Sequence, residues 1–337
     1  GTSRNSGVHA AGIVISPRPV VEFAALYKDP KTQTVTTQNH KKLIDPIGLL
    51  KIDFLGLQTL TSIYKTLDMI ERRHGVRLPL DEIPQMPVPD YAALDNAARH
   101  PLFPLENIKK TYQMLAKGQS TGLFQFESDG MKRLLRQAKP DRLEDLIALN
   151  AMYRPGPMKN IDSFIQRKHG KEPIVYLHPK LEPLLNSTYG IIVYQEQVML
   201  ISNVLAGFTL SEADRLRKAM GGKDPVLMSH YKNKFIDGAV ANGVARDAAT
   251  GIGDIIEEFA KYGFNKSHST AYAFIALQTA YLKANYPAEF MASQITLDKG
   301  DSDKVLALIE ESRALGLDVL PPCVNLSDVD FLPESDI

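Results

Sequence analysis

Six prolines fall between Val76 and Pro104, at 79, 84, 87, 89, 101 and 104. A proline fixes its own φ, lacks an N–H, and disfavours helical geometry in the residue before it, so no long helix or strand can cross this span. The chain is thereby divided. On one side lie short, β-prone segments and a single amphipathic helix; on the other lies a long region of helical periodicity. At 337 residues there is room for two or three domains. The 44% hydrophobic and 23% charged content is that of a soluble protein, and no apolar run reaches membrane-spanning length. The first residues lack a signal peptide's order, so a cytoplasmic location with no membrane partner is expected. Cys323 is the only cysteine, which excludes an internal disulfide and a thiolate metal cluster. A start without Met and an unfinished end, Phe331 to Ile337, lead us to expect a fragment of something larger.

In the first part, Val8–Ser16 reads as a strand carrying His9, whose expected role is structural. Phe23–Tyr27 and Thr34–Gln38 flank Asp29-Pro30 as a hairpin or short meander. Gly48–Gly56 reads as another strand. Alternation there puts Leu50, Ile52 and Phe54 on one face, expected to be buried, and Leu49, Lys51 and Asp53 on the other. A carboxylate among apolar neighbours needs compensation, and either a divalent metal or an ion pair with Lys51 would supply it. Leu57, Leu60, Ile63, Tyr64, Leu67 and Ile70 then mark a helix ending at His74-Gly75, and the proline-rich span has room for one short helix at Tyr91–Arg99.

Beyond residue 108 the expected helices include Asp129–Ala138, Arg142–Met152 and Gln195–Leu205, with candidate strands at Gly122–Glu127 and Gly190–Tyr194. Tyr153-Arg-Pro-Gly-Pro157 fixes Arg154 on a turn, as a solvated side chain or as a phosphate contact. Glu196 falls in a helical first turn, where it complements the helix dipole. Thr209 and Glu212 have capping-box spacing. From Arg215 to Lys234, six Lys and Arg residues stand against Asp224 alone, so this segment favours an anionic partner although the net charge of the whole chain is zero. Its helix end and Lys223 just beyond point to phosphate. In Phe259–Tyr286 one helix stops near Gly263 and another starts. Tyr262, Asn265, Lys266, Ser267 and His268 lie between, as a capped corner or as a cradle for a base and its phosphates.

Several runs together resemble the alpha subunits of bacterial DNA polymerase III, the replicative polymerases of the C family. They are Gly7–Ile15, Gly48–Leu57, Thr121–Ser128 with Gly130-Met131, Tyr153–Met158, Tyr189–Met199, Ala213–Gly221, and Tyr262–Ser269 continuing through Ala280–Met291. The resemblance implies an α+β, mostly helical fold: a small mixed sheet of a nucleotidyltransferase-type palm at 1–60, a connector at 61–110 and α-rich fingers at 111–337. It implies template-directed addition of deoxynucleoside triphosphates to the 3′-end of primer–template DNA by a two-metal Mg²⁺ mechanism. Asp53 matches a metal-binding carboxylate of the palm and Lys51 a basic neighbour. Arg217 and Lys218 match a basic pair that contacts the triphosphate, with Lys218 where a second Arg is expected and Gly222 where a Lys is common. Tyr262, Asn265, Lys266, Ser267 and His268 match the segment facing the nascent base pair, assigned as a group.

The palm pattern also calls for an Asp-x-Asp pair that this sequence does not supply, so the chain alone is expected to be inactive. Residues Tyr91–Asn107 exceed the usual link. Partners implied are the missing polymerase segments, the sliding clamp, the clamp loader and the proofreading subunit. The alternative reading is a non-catalytic module that binds nucleotide or primer–template and complements a separate polymerase chain.

Overall fold

A computed structural model describes all residues except 1–7, 10, 31–32, 55, 223–224, 326 and 335–337, and the side chains of 222 and 225. The chain forms two compact units, Gly1–Thr61 and Ser62–Ile337.

In the first unit, β1 (Gly12–Ile15) pairs antiparallel with β4 (Leu50–Asp53), and β2 (Leu26–Lys28) pairs antiparallel with β3 (Val35–Thr37). The expected hairpin around Asp29-Pro30 is therefore present. Where a mixed sheet was expected, the described residues form two separate antiparallel pairs. A small core of Ala24, Ile44 and Leu49 closes the unit. The expected burial of the β4 faces needs correction. Leu49 is buried, whereas Leu50 and Phe54 are exposed. Leu49 precedes the ladder, where Gly48 at φ +82° turns the chain and aims it at Ile44; strand alternation does not govern that position.

The second unit is helical, as the mostly helical α+β class requires. Its helices are α1 (Gln58–His74), α2 (Val88–Ala93), α3 (Leu105–Ala116), α4 (Asp129–Ala138), α5 (Leu143–Met152) and α6 (Ile161–Lys168). There follow α7 (Glu182–Leu185), α8 (Gln195–Ala206), α9 (Leu210–Gly222), α10 (Pro225–Ala241) and α11 (Arg246–Ala260). The chain finishes with α12 (Lys266–Asn285), α13 (Pro287–Leu297) and α14 (Ser302–Ala314). Helix α12, about 30 Å long at 1.5 Å per residue, is the axis of one core. Ala273, Ala276, Ala280 and Ala284 recur along it, and their small side chains let α3 and α5 approach closely. A second core joins α8, α9, α10 and α11 through Leu205, Leu216, Phe235 and Ile252.

Two buried charges lock the first core. Asp145 on α5 accepts hydrogen bonds from Lys168 Nζ (2.7 Å), Arg142 Nε (3.3 Å) and the Tyr189 hydroxyl (3.3 Å). Lys283 on α12 donates to the carbonyls of Gln119 (3.0 Å) and Thr121 (2.9 Å) and to Glu311 on α14 (2.5 Å). The proline-rich stretch is not loose. Tyr91 and Phe103 are buried, and the Tyr91 hydroxyl donates to the Phe103 carbonyl at 2.7 Å.

Neither candidate strand of this unit forms a ladder. In 122–127, Leu123 and Phe126 are the buried positions, three apart, and Gln125 takes a left-handed φ of 64°. Consecutive turns result, closed by the Ser120 hydroxyl donating to the Phe126 carbonyl at 2.6 Å. In 190–194 a side chain replaces a neighbouring strand: Gln197 Oε1 accepts from the N–H groups of Val193 (2.8 Å) and Tyr194 (3.0 Å). Only an isolated parallel bridge from Tyr194 to Phe264 remains.

Candidate nucleotide-facing site

In the first unit, Gly12 stands opposite Asp53 and Val14 opposite Lys51 across the β1–β4 ladder. Lys51 and Asp53 share a face, as alternation requires, and form an ion pair. His9 Nδ1 lies 3.6 Å from the same Asp53 oxygen. The hydrogen bond from Lys51 holds the Asp53 carboxyl below its ordinary range. Gly12 makes this cluster fit, because a Cβ there would come within 2.8 Å of His9 Nδ1 and 3.0 Å of Lys51 Cε. Of the two compensations open to Asp53, the structure presents the ion pair. Among the described residues no three His, Cys, Asp or Glu side chains gather as a metal site. A single carboxylate already neutralised by an ammonium does not fit a pair of divalent cations, which need several oxygen ligands.

In the second unit, three separated sequence runs meet at the start of α12. The first is the 153–158 turn. Arg154 lies over the Phe264 ring, 4.0 Å from its centroid, and donates to the carbonyls of Ala151 (3.0 Å) and Tyr262 (3.2 Å). Burial lowers its pKa, and its guanidinium is held within the fold by these two carbonyls and the Phe264 ring. Gly156, at φ +105°, brings backbone against Tyr262, where a Cβ would sit 3.4 Å from that side chain. Lys159 pairs with Glu258 and lies 5.6 Å from the Tyr262 ring centroid.

The second run is the start of α8. Gln195 N–H donates to the Phe264 carbonyl at 2.9 Å. Glu196 accepts from Asn265 Nδ2 at 2.7 Å and from the Lys266 backbone N–H at 2.9 Å.

The third run is the loop itself. Asn265 caps α12, its Oδ1 accepting from the His268 N–H at 2.8 Å, while buried Ser269 donates to the Ile147 carbonyl at 2.7 Å. Asn265, Lys266, Ser267 and His268 are exposed and Tyr262 is half-buried. The His268 ring packs between Phe264 (5.6 Å between centroids) and Tyr272 (4.3 Å), and Tyr272 continues to Phe124 (5.0 Å). Lys266 Nζ stands 5.5 Å from the Tyr194 ring centroid. Capped corner and exposed polar rim are thus one and the same structure.

Arg217 and Lys218 lie on α9, which packs on α8 after a three-residue connection. Both are drawn to one carboxylate: Asp214 accepts from Arg217 Nη2 at 2.7 Å and pairs with Lys218 at 2.9 Å. Lys223 falls outside the described residues. The Thr209–Glu212 capping box is formed, with the Thr209 N–H donating to Glu212 Oε2 at 2.8 Å and the Glu212 N–H to Thr209 Oγ1 at 3.3 Å. Hydrogen bonds from Lys234 and Thr209 depress the Glu212 carboxyl to about 2.

Sequence reasoning missed Phe264 and Tyr272 as members of this site, although 264, 268 and 272 recur at the spacing of one helical face. It also placed Glu196 correctly in a first turn without finding the loop that it holds.

The bacterial DNA polymerase III alpha subunit finger domain matches residues 59–243, and the bacterial DNA polymerase III alpha NTPase domain matches residues 1–56. The chain belongs to the bacterial DNA polymerase III alpha subunit family. The chain is 47% identical over 338 residues to DNA polymerase III subunit alpha of Aquifex aeolicus, covering 100% of this chain and 27% of that protein. It is 47% identical over 332 residues to the Escherichia coli K12 subunit, covering 96% and 27%, and 44% identical over 336 residues to that of Thermus aquaticus, covering 98% and 26%. The chain therefore spans about a quarter (26–27%) of the length of these curated relatives. No helix among the described residues is long and apolar enough to cross a membrane.

Proposed function

We infer that this chain supplies the nucleotide-facing part of a DNA-directed DNA polymerase, which adds deoxynucleotides to a primer 3′-end and releases pyrophosphate. The supporting observation is the convergence of three motif runs, 153–158, 194–197 and 262–268, on one exposed rim carrying Lys266, Ser267 and His268 beside Tyr262. On this reading residues 1–60 belong to the palm, 61–110 to a connector and 111–337 to the fingers. Arg217 and Lys218 exchange Asp214 for the triphosphate, and Tyr262, Asn265, Lys266, Ser267 and His268 form the surface toward the incoming nucleotide. Lys223 adds positive charge after α9.

Asp53 is the palm carboxylate of this segment, with Lys51 beside it. Two-Mg²⁺ chemistry belongs to this proposal only at full family length, since Asp53 alone does not complete a cation pair. The same holds for the sliding clamp, the clamp loader and the proofreading subunit as partners. The chain by itself is accordingly proposed to bind nucleotide or primer–template without extending it.

Primer extension with Mg²⁺ and all four nucleotides tests this. No extension is expected from the chain alone, and extension is expected once a chain bearing the missing carboxylates is added. Templated synthesis by the chain alone, abolished by Asp53→Asn, would overturn the claim of inactivity. Arg217→Ala and Lys218→Ala should weaken triphosphate binding, most visibly at low salt. A change in melting temperature with unchanged nucleotide affinity would assign both residues to the fold instead.

A further inference from the structure

The free N–H groups of a helix start favour an anion. At α12 the chain provides its own. Glu196, carried by the first turn of α8, spends one carboxylate oxygen on Asn265 Nδ2 (2.7 Å) and the other on the Lys266 N–H (2.9 Å). Asn265 in turn spends Oδ1 on the His268 N–H (2.8 Å). Both ends of the Asn265 amide are therefore used inside the protein, and two donors at this helix start are already satisfied. An incoming phosphate would then meet the side chains of Lys266, Ser267 and His268 at a helix start whose Lys266 and His268 N–H groups are already taken.

We propose that Glu196 and Asn265 are a positioning pair, which fixes the first turn of α12 so that Lys266, Ser267 and His268 are presented to the nucleotide; Asn265 then serves the nucleotide-facing surface by setting this turn and not by a contact of its own. This deepens the functional reading above and rests on it. The carboxylate suits the task because both its oxygens accept. A glutamine at 196 would keep the size, lose the charge and turn an NH₂ group toward one of the two donors.

The polarity of the pair can be reversed, and this provides the test. With Glu196→Gln and Asn265→Asp together, the introduced amide donates through its NH₂ group to one oxygen of the introduced carboxylate and accepts from the Lys266 N–H through its carbonyl oxygen. The other oxygen of that carboxylate still caps His268, and net charge is conserved. In an alpha subunit of full family length carrying this sequence, KM for the incoming nucleotide is measured by primer extension, well below the melting temperature of every variant. Glu196→Gln should raise KM about tenfold, the equivalent of one well-placed hydrogen bond. Asn265→Asp alone, which sets two carboxylates face to face, should raise it at least as much. The double variant should return to within about twofold of the parent, by the logic of a double-mutant cycle.

A double variant as impaired as the single ones overturns the proposal, and so do single variants that lower melting temperature but leave KM unchanged. Lys266→Ala separates the two levels of the reading. If it raises KM while Glu196→Gln does not, the positioning pair alone is wrong; if it leaves KM unchanged, the nucleotide-facing assignment falls and the pair with it.

Discussion

Asp53 and Glu196 are both carboxylates with two nitrogen partners, but they are held in different ways. Asp53 is exposed on a two-stranded ladder, and its partner Lys51 is two residues away on the same strand. Glu196 reaches across about 70 residues of sequence to a loop that Arg154 grips from another side. The first arrangement is local and exposed, so its loss should disturb little around it. The second is part of what shapes them, so equal chemistry carries unequal structural weight.

The sharpest test of this contrast is Arg154→Ala. It removes two charge-assisted hydrogen bonds to carbonyls and the contact with Phe264, and should cost about 2–3 kcal/mol in urea unfolding. A loss below about 0.5 kcal/mol, the size expected of an ordinary surface change, would break the comparison. Next comes Gly156→Ala. An alanine held at φ +105°, with its methyl 3.4 Å from Tyr262, should cost about 1–3 kcal/mol, and the Tyr262 ring signals in NMR should move.

The smallest effects belong to Asp53. Its depressed pKa means that the folded state releases this proton more readily than the unfolded chain does. The stabilising contribution is therefore present above the ordinary aspartate value and fades as pH falls through the depressed one. Lys51→Gln should return the Asp53 titration, followed by carboxyl carbon NMR, to near the ordinary value, with melting temperature at pH 7 almost unchanged. Added salt should shift the parent's titration in the same direction. A large drop in melting temperature for Lys51→Gln would show that the first unit depends on this pair after all.

The same contrast explains what could be read in advance. Alternation was enough to set Lys51 beside Asp53, and a three-residue spacing was enough for the Thr209–Glu212 box, because both are local geometry. The limits of α4 and α5 were legible for the same reason. Leu49 was misassigned because a left-handed glycine stands before it. The runs 122–127 and 190–194 look like strands by composition, yet a strand needs a neighbour; a serine hydroxyl and a glutamine amide took the bonds that a neighbour would have made. No spacing rule could have joined Glu196 to Asn265, or Tyr272 to Phe124, since each pair is brought together only across the fold, from segments far apart in sequence.

Lys283 carries a consequence for how the molecule can be watched. Its ammonium is fully enclosed, tied to two carbonyls and Glu311, and burial lowers its pKa below the ordinary lysine value. An acylating reagent that tags surface amines within seconds will find this nitrogen only when α12, α14 and the 119–121 turn separate. The time course of its labelling, read by mass spectrometry against an exposed amine such as Lys218, is a built-in clock for the opening of the helical unit.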